Sequence, residues 1–260
     1  MENIKRVLSY VRRGVDDYEM IKENDRIVVG VSAGKDSLTL LCALAELRRF
    51  YPQKFELCAV TVDMGFDGTD FSPIKKLCDE LNVEYRIVPT QISKVIFDVR
   101  KEKNPCSLCA KMRRGALYGY AAEQGFNKVA LGHHFDDVVE TFMLNLFFEG
   151  RLGCFSPVTY LSRMDITLIR PMIYMPEKDV RYFAQKAELP VIKSPCPADG
   201  NTEREEMKKL LSTLERTNKG LRYRIFGALT RGEIDGFREC GRMKGIKQYE
   251  DVETEEDQNS

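Results

Sequence analysis

The stretch SAGKDS combines small residues, two hydroxyls and a pair of opposite charges directly after an apolar run. If the run is a strand and SAGKDS begins a helix, unpaired backbone N–H groups and the positive end of the helix dipole meet there, which favours phosphate. Ser32 and Ser37 add hydroxyl donors, Lys35 adds positive charge, and Asp36 is a candidate ligand for Mg²⁺. The spacing differs from that of a Walker A loop. A simpler alternative, a turn at Gly34 with Ser37 as helix cap, stays open.

A second polar stretch, LGHHFDDVVETFMLN, follows another apolar run. His133 and His134 end the predicted strand, and Asp136 and Asp137 begin the next helix. Adjacent residues of an extended chain point to opposite sides, so the two imidazoles are not expected to bind one metal ion. The acids, together with Glu140, would also serve as ordinary charge compensation at a helix N-terminus, and this alternative stays open.

Three cysteines stand out among eight. Cys106 and Cys109 are three positions apart at a predicted helix start, and Cys196 lies in KSPCPADG. A single CxxC pair is compatible with structural zinc, a redox dithiol or an iron–sulfur cluster. Structural zinc requires four ligands, so three cysteines favour a site with an open position. The other five are expected to be buried structural thiols: Cys42, Cys58, Cys78, Cys154 and Cys240.

Alternating strands and helices must position these groups. Runs of this kind, with strands apolar on both faces, predict an α/β fold: a parallel twisted sheet with helices on both faces. Ligands of such sheets lie beyond the carboxyl ends of the strands. Predicted strands cover 26–32, 55–64, 84–90, 128–134 and 167–174, and predicted helices cover 36–50, 72–82, 107–124, 135–149 and two short segments in 203–230.

The 260-residue chain has a balanced charge, 40 basic against 40 acidic residues, and 43% hydrophobic residues. Six of the acids lie in the last eleven residues, so the remainder is mildly basic, which permits a nucleic-acid partner. No segment is apolar enough to span a membrane, and a cytoplasmic protein is expected.

We predict a helical lead-in (1–25), a nucleotide-binding domain with the cysteines (26–200), a C-terminal helical region (201–248) and an acidic disordered tail (249–260).

Two of the motifs resemble those of a known superfamily. SAGKDS resembles the SGGxDS loop of the PP-loop ATP pyrophosphatases, which cleave ATP to AMP and pyrophosphate while adenylating a substrate oxygen. Ala33 replaces the first glycine, and we expect it at negative φ with its methyl group facing the phosphates. The GHHFDDVVET stretch resembles the tRNA-modifying branch. The resemblance implies an ATP site at Ser32, Ala33, Gly34, Lys35, Asp36, Ser37, Gly132 and His133, with Asp63 and Met64 at the adenine and ribose.

The segments PCSLCAKMRRGALY and RPMIYMPEKDV and the late Pro-Cys extend the resemblance to the tRNA 2-thiocytidine synthetases, over residues 1 to 230. In that family three cysteines hold a [4Fe–4S] cluster with one iron free of protein ligands, and they correspond here to Cys106, Cys109 and Cys196. Many relatives have a further cysteine where this chain has Asp199, a weak alternative ligand. Paired cysteines of the zinc-ribbon kind, expected in 2-thiouridine thiolases, are lacking in the sequence, which favours the cytosine branch.

The resemblance implies that ATP adenylates the C2 oxygen of a tRNA cytidine, at position 32, and that sulfide then replaces it. A cysteine desulfurase is the implied sulfur donor, and the oligomeric state stays open, a homodimer included. Arg113 and Asp137 correspond to a catalytic cation and a catalytic acid, and Arg113 follows Cys109 by one helical turn. Basic residues that could meet tRNA phosphates are Arg100, Lys101, Lys103, Lys111 and Arg114.

Two other functions fit part of the pattern. Another adenylating enzyme of the superfamily, a lysidine-type ligase or a small-molecule adenylase, would turn ATP into AMP without iron or sulfide. A non-enzymatic redox sensor would bind ATP and a cluster but leave tRNA unmodified. Against the sensor, the acids expected for Mg²⁺-assisted catalysis are present at Asp36, Asp136 and Asp137.

Overall fold

The computed structural model describes residues 4–66, 68–100, 105–193, 195–197 and 203–240. Its centre is one six-stranded sheet in which five strands are parallel and one edge strand is antiparallel. The strands are β1 (Asp25–Gly30), β2 (Phe55–Asp63), β3 (Glu84–Pro89), β4 (Lys128–Ala130), β5 (Val158–Leu161) and β6 (Ile166–Ile169).

Helices follow most strands, as the alternating pattern predicts. A π-helical turn at Lys94–Val99 precedes the long helix that carries the CxxC pair, and a 3₁₀ turn at Ile234–Gly236 follows the last helix. The α-helices are α1 (Ile4–Asp17), α2 (Lys35–Leu47), α3 (Ser72–Glu80), α4 (Pro105–Glu123), α5 (Phe135–Phe148), α6 (Glu177–Lys186), α7 (Glu203–Thr217) and α8 (Leu221–Arg231).

The sheet order β3-β2-β1-β4-β6-β5 reverses direction between β1 and β4. The chain moves outward to β2 and β3 on one side and to β6 on the other, so the crossover helices separate at this point and leave a crevice beyond the carboxyl ends of the two strands. SAGKDS follows β1 and LGHHFDD follows β4. The topology therefore places both polar motifs at the crevice where ligands of such sheets bind.

Two apolar clusters cover the two faces of the sheet. Val28 and Val129 pack with Leu117 and Tyr118 of α4 on one face. The alternate residues of β1 lie in the larger cluster on the other face, which also includes Val11 of α1, Leu41 of α2 and Phe226 of α8. The helical additions at both ends thus share one core with the sheet, while the boundaries drawn at 25/26, 200/201 and 248/249 stay predictions.

Three strand assignments differ from the structure. The strand expected at 167–174 ends at Ile169, and the chain then enters turns. The strand expected at 128–134 ends at Ala130, because the residues after it turn toward the next helix. β5, which was not predicted, pairs antiparallel with β6 at the sheet edge, where Tyr160 is exposed and the apolar signal of so short a strand is weak. Lys101, Lys103, Asp199 and the tail predicted at 249–260 lie outside the described residues. No helix in the described part of the chain is long and apolar enough to cross a membrane.

Candidate active site

The loop after β1 is closed by its two serines. The Ser32 backbone N–H donates to Ser37 Oγ at 3.1 Å, the Ser32 and Ser37 hydroxyl oxygens are 3.2 Å apart, and the Ser37 hydroxyl donates to the Gly34 carbonyl oxygen at 3.0 Å. Gly34 is the N-cap residue of α2, and no side chain caps the helix there. The cap alternative for Ser37 is therefore wrong, and the first turn of α2 presents its N–H groups to the crevice.

Ala33 has φ of +63°, so the expectation of a negative φ is wrong. The left-handed conformation costs a residue with Cβ about 1 kcal/mol or more, and the surroundings must hold it in place. Ala33 is buried, and its carbonyl oxygen accepts a hydrogen bond from the Ile192 N–H at 3.0 Å. That bond attaches the segment leading to Cys196 to the nucleotide loop.

Lys35 lies between two carboxylates. Its Nζ is 2.9 Å from Asp36 Oδ1 and 3.2 Å from Glu177 Oε1. Glu177, at the start of α6, also pairs with Lys208 at 2.8 Å. Burial opposes ionisation of Glu177, but the hydrogen bond from Lys208 and the charge of Lys35 outweigh it and lower its pKa to about 2. Glu177 is therefore ionised at neutral pH and fixes Lys35 over the loop.

His134 and Asp137 cap α5 reciprocally. The Asp137 N–H donates to His134 Nδ1 at 3.3 Å, and the His134 N–H donates to Asp137 Oδ2 at 2.9 Å. The second Asp137 oxygen accepts from Arg204 of α7 at 2.9 Å. Burial opposes ionisation of Asp137, but the two neighbouring histidines, the His134 N–H and Arg204 together lower its pKa. Asp137 is thus an ionised carboxylate with a fixed orientation.

Asp136 and Glu140 connect α5 to the C-terminal helices. Asp136 Oδ2 accepts from the Glu177 N–H at 2.7 Å, and Asp136 Oδ1 lies 3.3 Å from Arg222 Nη1 of α8. Glu140 is buried, 3.8 Å from the same guanidinium nitrogen. Burial and the charge of Asp137 raise the pKa of Glu140 to about 7. Asp137 caps the N-terminus of α5, in agreement with the charge-compensation alternative. Asp136 instead accepts a hydrogen bond from the first residue of α6.

Gly132 brings the two motifs together. A Cβ added to it would lie 3.0 Å from both the Asp36 carbonyl carbon and the Ser37 N. A side chain at this position would require the Asp36–Ser37 backbone to shift by a few tenths of an ångström. Across the same junction His134 Nε2 is 3.6 Å from Asp36 Oδ1. The structure therefore gives Gly132 a packing role between the loop and the second motif.

The His133 side chain lies between Arg170 and Phe155. Its Nδ1 accepts from Arg170 Nε at 3.2 Å, and its ring stacks on Phe155 with centroids 4.7 Å apart. Burial, then the charge of Arg170, lowers the pKa of His133 to about 4. Its imidazole is therefore neutral at physiological pH.

Asp63 and Met64 end β2, next to β1, at the same sheet edge. Asp63 Oδ1 accepts from the Gly65 N–H at 2.9 Å, and the Met64 carbonyl oxygen accepts from the Ser93 N–H at 2.9 Å. Both residues are half-buried, so they line the border of the crevice beside the nucleotide loop.

Cys106 is exposed at the start of α4, and Cys109 and Cys196 are half-buried. Burial raises the pKa of the Cys109 thiol, while a hydrogen bond and the charge of Arg113 oppose the rise; the thiols of Cys106 and Cys196 lie near enough to act on the same group. Arg113 therefore lies against Cys109, as their spacing predicts. Within the described residues, no group of three or more His, Cys, Asp and Glu is close enough to hold a metal ion.

The residue types suit an iron–sulfur cluster, although their side chains are not gathered into a metal site in this structure. Three thiols from two segments share a neighbourhood with a permanent cation, and thiolates are the ligands that such clusters take. Of the remaining cysteines, four are buried as expected, with thiol pKa values raised by burial to about 11 or 12, whereas Cys240 is only half-buried. The buried four are Cys42, Cys58, Cys78 and Cys154.

Several charged residues at the site were not predicted. Arg170 and Glu177 lie in RPMIYMPEKDV, a segment used only for its resemblance, and no spacing rule pairs them with the two motifs. The cations of the C-terminal helices belong to ordinary amphipathic patterns and reach the site only through tertiary packing. They are Arg204, Lys208 and Arg222.

The nucleotide loop at the topological switch point, closed by a second motif from β4, is the architecture of a PP-loop protein, and residues 4–215 match the PP-loop domain family. The tRNA-cytidine(32) 2-sulfurtransferase of Geobacter sulfurreducens is 40% identical over 228 residues, covering 86% of this chain and 89% of that protein. The enzyme of the same name from Teredinibacter turnerae is 40% identical over 229 residues, covering 87% and 76%. This chain belongs to the tRNA-cytidine(32) 2-sulfurtransferase family.

A solved structure supports the assignment. The U34-tRNA thiolase NcsA from Methanococcus maripaludis, determined with its [4Fe-4S] cluster, superposes with a TM-score of 0.72 at 29% identity, covering 86% of this chain and 78% of that one. The fold predicted from the alternating strands and helices is confirmed, with a PP-loop sheet and helical additions. As a member of the family, the protein is a sulfurtransferase that thiolates tRNA.

Proposed function

We propose that the protein converts cytidine 32 of tRNA to 2-thiocytidine by adenylating the C2 oxygen with ATP and replacing it with sulfide. One observation supports this most directly: the Ile192 N–H bonds the Ala33 carbonyl oxygen, so the segment that leads to Cys196 is attached to the nucleotide loop. An enzyme that adenylates and thiolates one atom needs its nucleotide and sulfur sites side by side.

Adenylation makes the C2 oxygen a leaving group. The oxygen attacks the α-phosphorus of ATP, pyrophosphate leaves, sulfide then adds to C2, and AMP departs with the original oxygen. The N–H groups at the start of α2, the Ser32 and Ser37 hydroxyls and Lys35 would bind the phosphates and offset the charge that develops on them. Asp36 is our candidate for holding Mg²⁺, since carboxylate oxygens are the ligands that this ion prefers.

Cys106, Cys109 and Cys196 would hold the [4Fe–4S] cluster. When bound, the cluster would supply the sulfide for the transfer. Arg113 stabilises negative charge beside Cys109, because its guanidinium hydrogen-bonds the thiol. Asp137 acts as a carboxylate, since its lowered pKa leaves it ionised at neutral pH. It orients the base or accepts a proton from it.

The partners follow from this chemistry. The base must leave its stack for C2 to reach the site. The names of the relatives, which specify cytidine 32, support the anticodon loop of tRNA as the substrate. Arg100, Lys111 and Arg114 are exposed around the start of α4 and are our candidates for binding its phosphates. A cysteine desulfurase is the proposed source of sulfur, and the cytoplasm is the proposed location.

The test is reconstitution without oxygen. The protein is loaded with iron and sulfide, incubated with ATP, Mg²⁺ and unmodified tRNA, and the tRNA nucleosides are measured by mass spectrometry. We expect 2-thiocytidine from the wild type and from Cys240→Ala, a matched control at a half-buried thiol outside the site, and none from Cys196→Ala.

Each competing function predicts a different result. AMP release that needs neither iron nor sulfide, without any thiolated nucleoside, would assign another adenylation reaction. Binding of ATP and a cluster with unmodified tRNA would assign a sensor. Either result, obtained with an intact cluster, would overturn the proposal.

A further inference from the structure

Arg170 is a buried cation whose partners are unusual. It is 6% exposed, and no carboxylate of the described residues pairs with it. Its Nη1 donates to the Ser156 carbonyl oxygen and to Thr159 Oγ1, and its guanidinium lies over the Phe155 ring, 5.0 Å from the centroid. An unpaired buried cation is costly, so its position calls for a function or a compensating ligand.

Its Nε is directed at an imidazole. Arg170 Nε donates to His133 Nδ1 at 3.2 Å. The His133 ring stacks on Phe155 with 29° between the ring planes. The same aromatic ring thus holds both the guanidinium and the imidazole. Neither partner is free to rotate without losing its contact with Phe155.

This geometry fixes the position of the imidazole proton. A guanidinium has N–H donors only and stays protonated, so His133 Nδ1 must be the acceptor. A neutral imidazole with an acceptor at Nδ1 carries its proton on Nε2. A proton on His133 Nδ1 would face the N–H of Arg170 Nε, and this arrangement of two donors is disfavoured. Among the described residues, none accepts a hydrogen bond from Nε2, so that donor is available to a ligand.

We propose that Arg170 is a positioning residue: by donating to His133 Nδ1, it keeps the imidazole proton on Nε2 and makes His133 an uncharged hydrogen-bond donor to an oxygen of bound ATP. The ligand rests on the proposed function, whereas the position of the proton does not. An uncharged donor binds an oxygen directionally without adding to the positive charge that Lys35 already brings to the crevice.

The charges around His133 come from three elements. Arg170 follows β6, Asp137 and His134 begin α5, and Arg204 begins α7. Asp137 would favour an imidazolium, but burial and the two arginines oppose it, so the imidazole stays neutral between pH 5 and pH 8. Removing the guanidinium at 170 removes both the donor and one of the opposing charges.

The chain has two histidines, which makes the test direct. Nitrogen-15 NMR of the protein distinguishes protonated from unprotonated ring nitrogens, and His133→Phe assigns the signals. In the wild type we expect His133 to show Nε2 protonated, Nδ1 unprotonated and no titration from pH 5 to pH 8. In Arg170→Met we expect both tautomers and titration near the ordinary pKa of about 6.5. A protonated Nδ1 in the wild type, or no change in Arg170→Met, would overturn the proposal.

Further variants test the ligand and guard against misfolding. Arg163→Met changes an exposed arginine of the same hairpin and should leave the His133 signals unchanged. Arg170→Lys keeps a donor and should retain part of the tautomer bias. His133→Phe keeps the stacked ring without the donor and should weaken binding of α,β-methylene-ATP about tenfold, the loss of one hydrogen bond to a charged group. Unchanged binding would overturn the assignment of the ligand, whether or not tRNA is thiolated.

Discussion

Arg204 Nη1 lies 2.9 Å from Asp137 Oδ1, so a residue of the C-terminal helices orients the carboxylate that begins α5. The same guanidinium donates to Thr141 Oγ1 at 3.1 Å through Nη2. Since the other Asp137 oxygen serves the helix cap, both oxygens are fixed before any substrate binds. The C-terminal helices are therefore part of the active-site architecture as well as of the core.

Removing this guanidinium should make Asp137 less acidic. Arg204→Gln is expected to raise the pKa of Asp137 and to lower the free energy of unfolding by about 1 kcal/mol at pH 7, a modest value because Arg204 is 42% exposed. The pKa of Asp137 is lowered in the folded state, so the stabilisation is present above its unfolded pKa and is lost as pH falls through the folded value. Urea unfolding at pH 7 and pH 3 measures both.

A variant that keeps the positive charge at 204 is the control for Arg204→Gln. Arg204→Lys keeps a cation and should lose less than half as much stability as the glutamine variant. An equal stability difference between wild type and Arg204→Gln at both pH values would show that the pair contributes no electrostatic stabilisation.

In the nucleotide loop, Ala33 is the residue with an unfavourable backbone conformation. Ala33→Val is expected to lower the free energy of unfolding by about 2 kcal/mol, because a β-branched residue is strongly disfavoured at positive φ. Gly34→Ala should change it by less than about 1 kcal/mol, since Gly34 has φ of −84° and an added Cβ has its nearest neighbour, Ser32 Oγ, at 3.5 Å. Thermal unfolding of both variants checks the order, and a greater loss at Gly34 would contradict the left-handed Ala33.

The junction at Gly132 should not accept a side chain. Gly132→Ala forces the Asp36–Ser37 backbone to move, since its Cβ would lie 3.0 Å from backbone atoms. We expect a loss of about 2 kcal/mol in stability and weaker ATP binding, as overpacking displaces the loop. Gly119→Ala on α4 is the control, because nothing lies within 4 Å of its added Cβ. Calorimetry of unfolding and of ATP binding tests this, and equal behaviour of the two variants would refute it.

Glu140 should make the protein less stable as pH rises. Its folded pKa of about 7 exceeds the unfolded value of about 4.3, so the folded state holds the extra proton and stability falls between these two pH values. Glu140→Gln removes this titration. We expect the loss of stability between pH 5 and pH 8 to be smaller in the variant by about 2 kcal/mol, measured by urea unfolding at both pH values. A parallel pH dependence in the two proteins would show that Glu140 is already ionised at pH 5.

The sequence predicts local structure well here and long-range pairing poorly. β1, α2, β2 and α5 follow from apolar runs and from small or acidic residues at their ends, which act within a few positions. β5 was missed because it is an edge strand of four residues, none of them fully buried, which gives a weak apolar signal. The positive φ of Ala33 was missed because alanine is uncommon in the left-handed region. The pairing of Arg204 with Asp137 was missed because it depends on how α7 packs on α5.

Which site residues meet was partly predictable. Strand ends at one edge of a parallel sheet bring SAGKDS and LGHHFDD together, and one helical turn joins Cys109 to Arg113. The link between Cys196 and the nucleotide loop has no such rule, because it arises from the path of the chain after α6.

The hydrogen bond from the Ile192 N–H to the Ala33 carbonyl oxygen involves the main chain alone. The attachment therefore requires no particular side chain at 192, except that proline would abolish it for lack of an N–H.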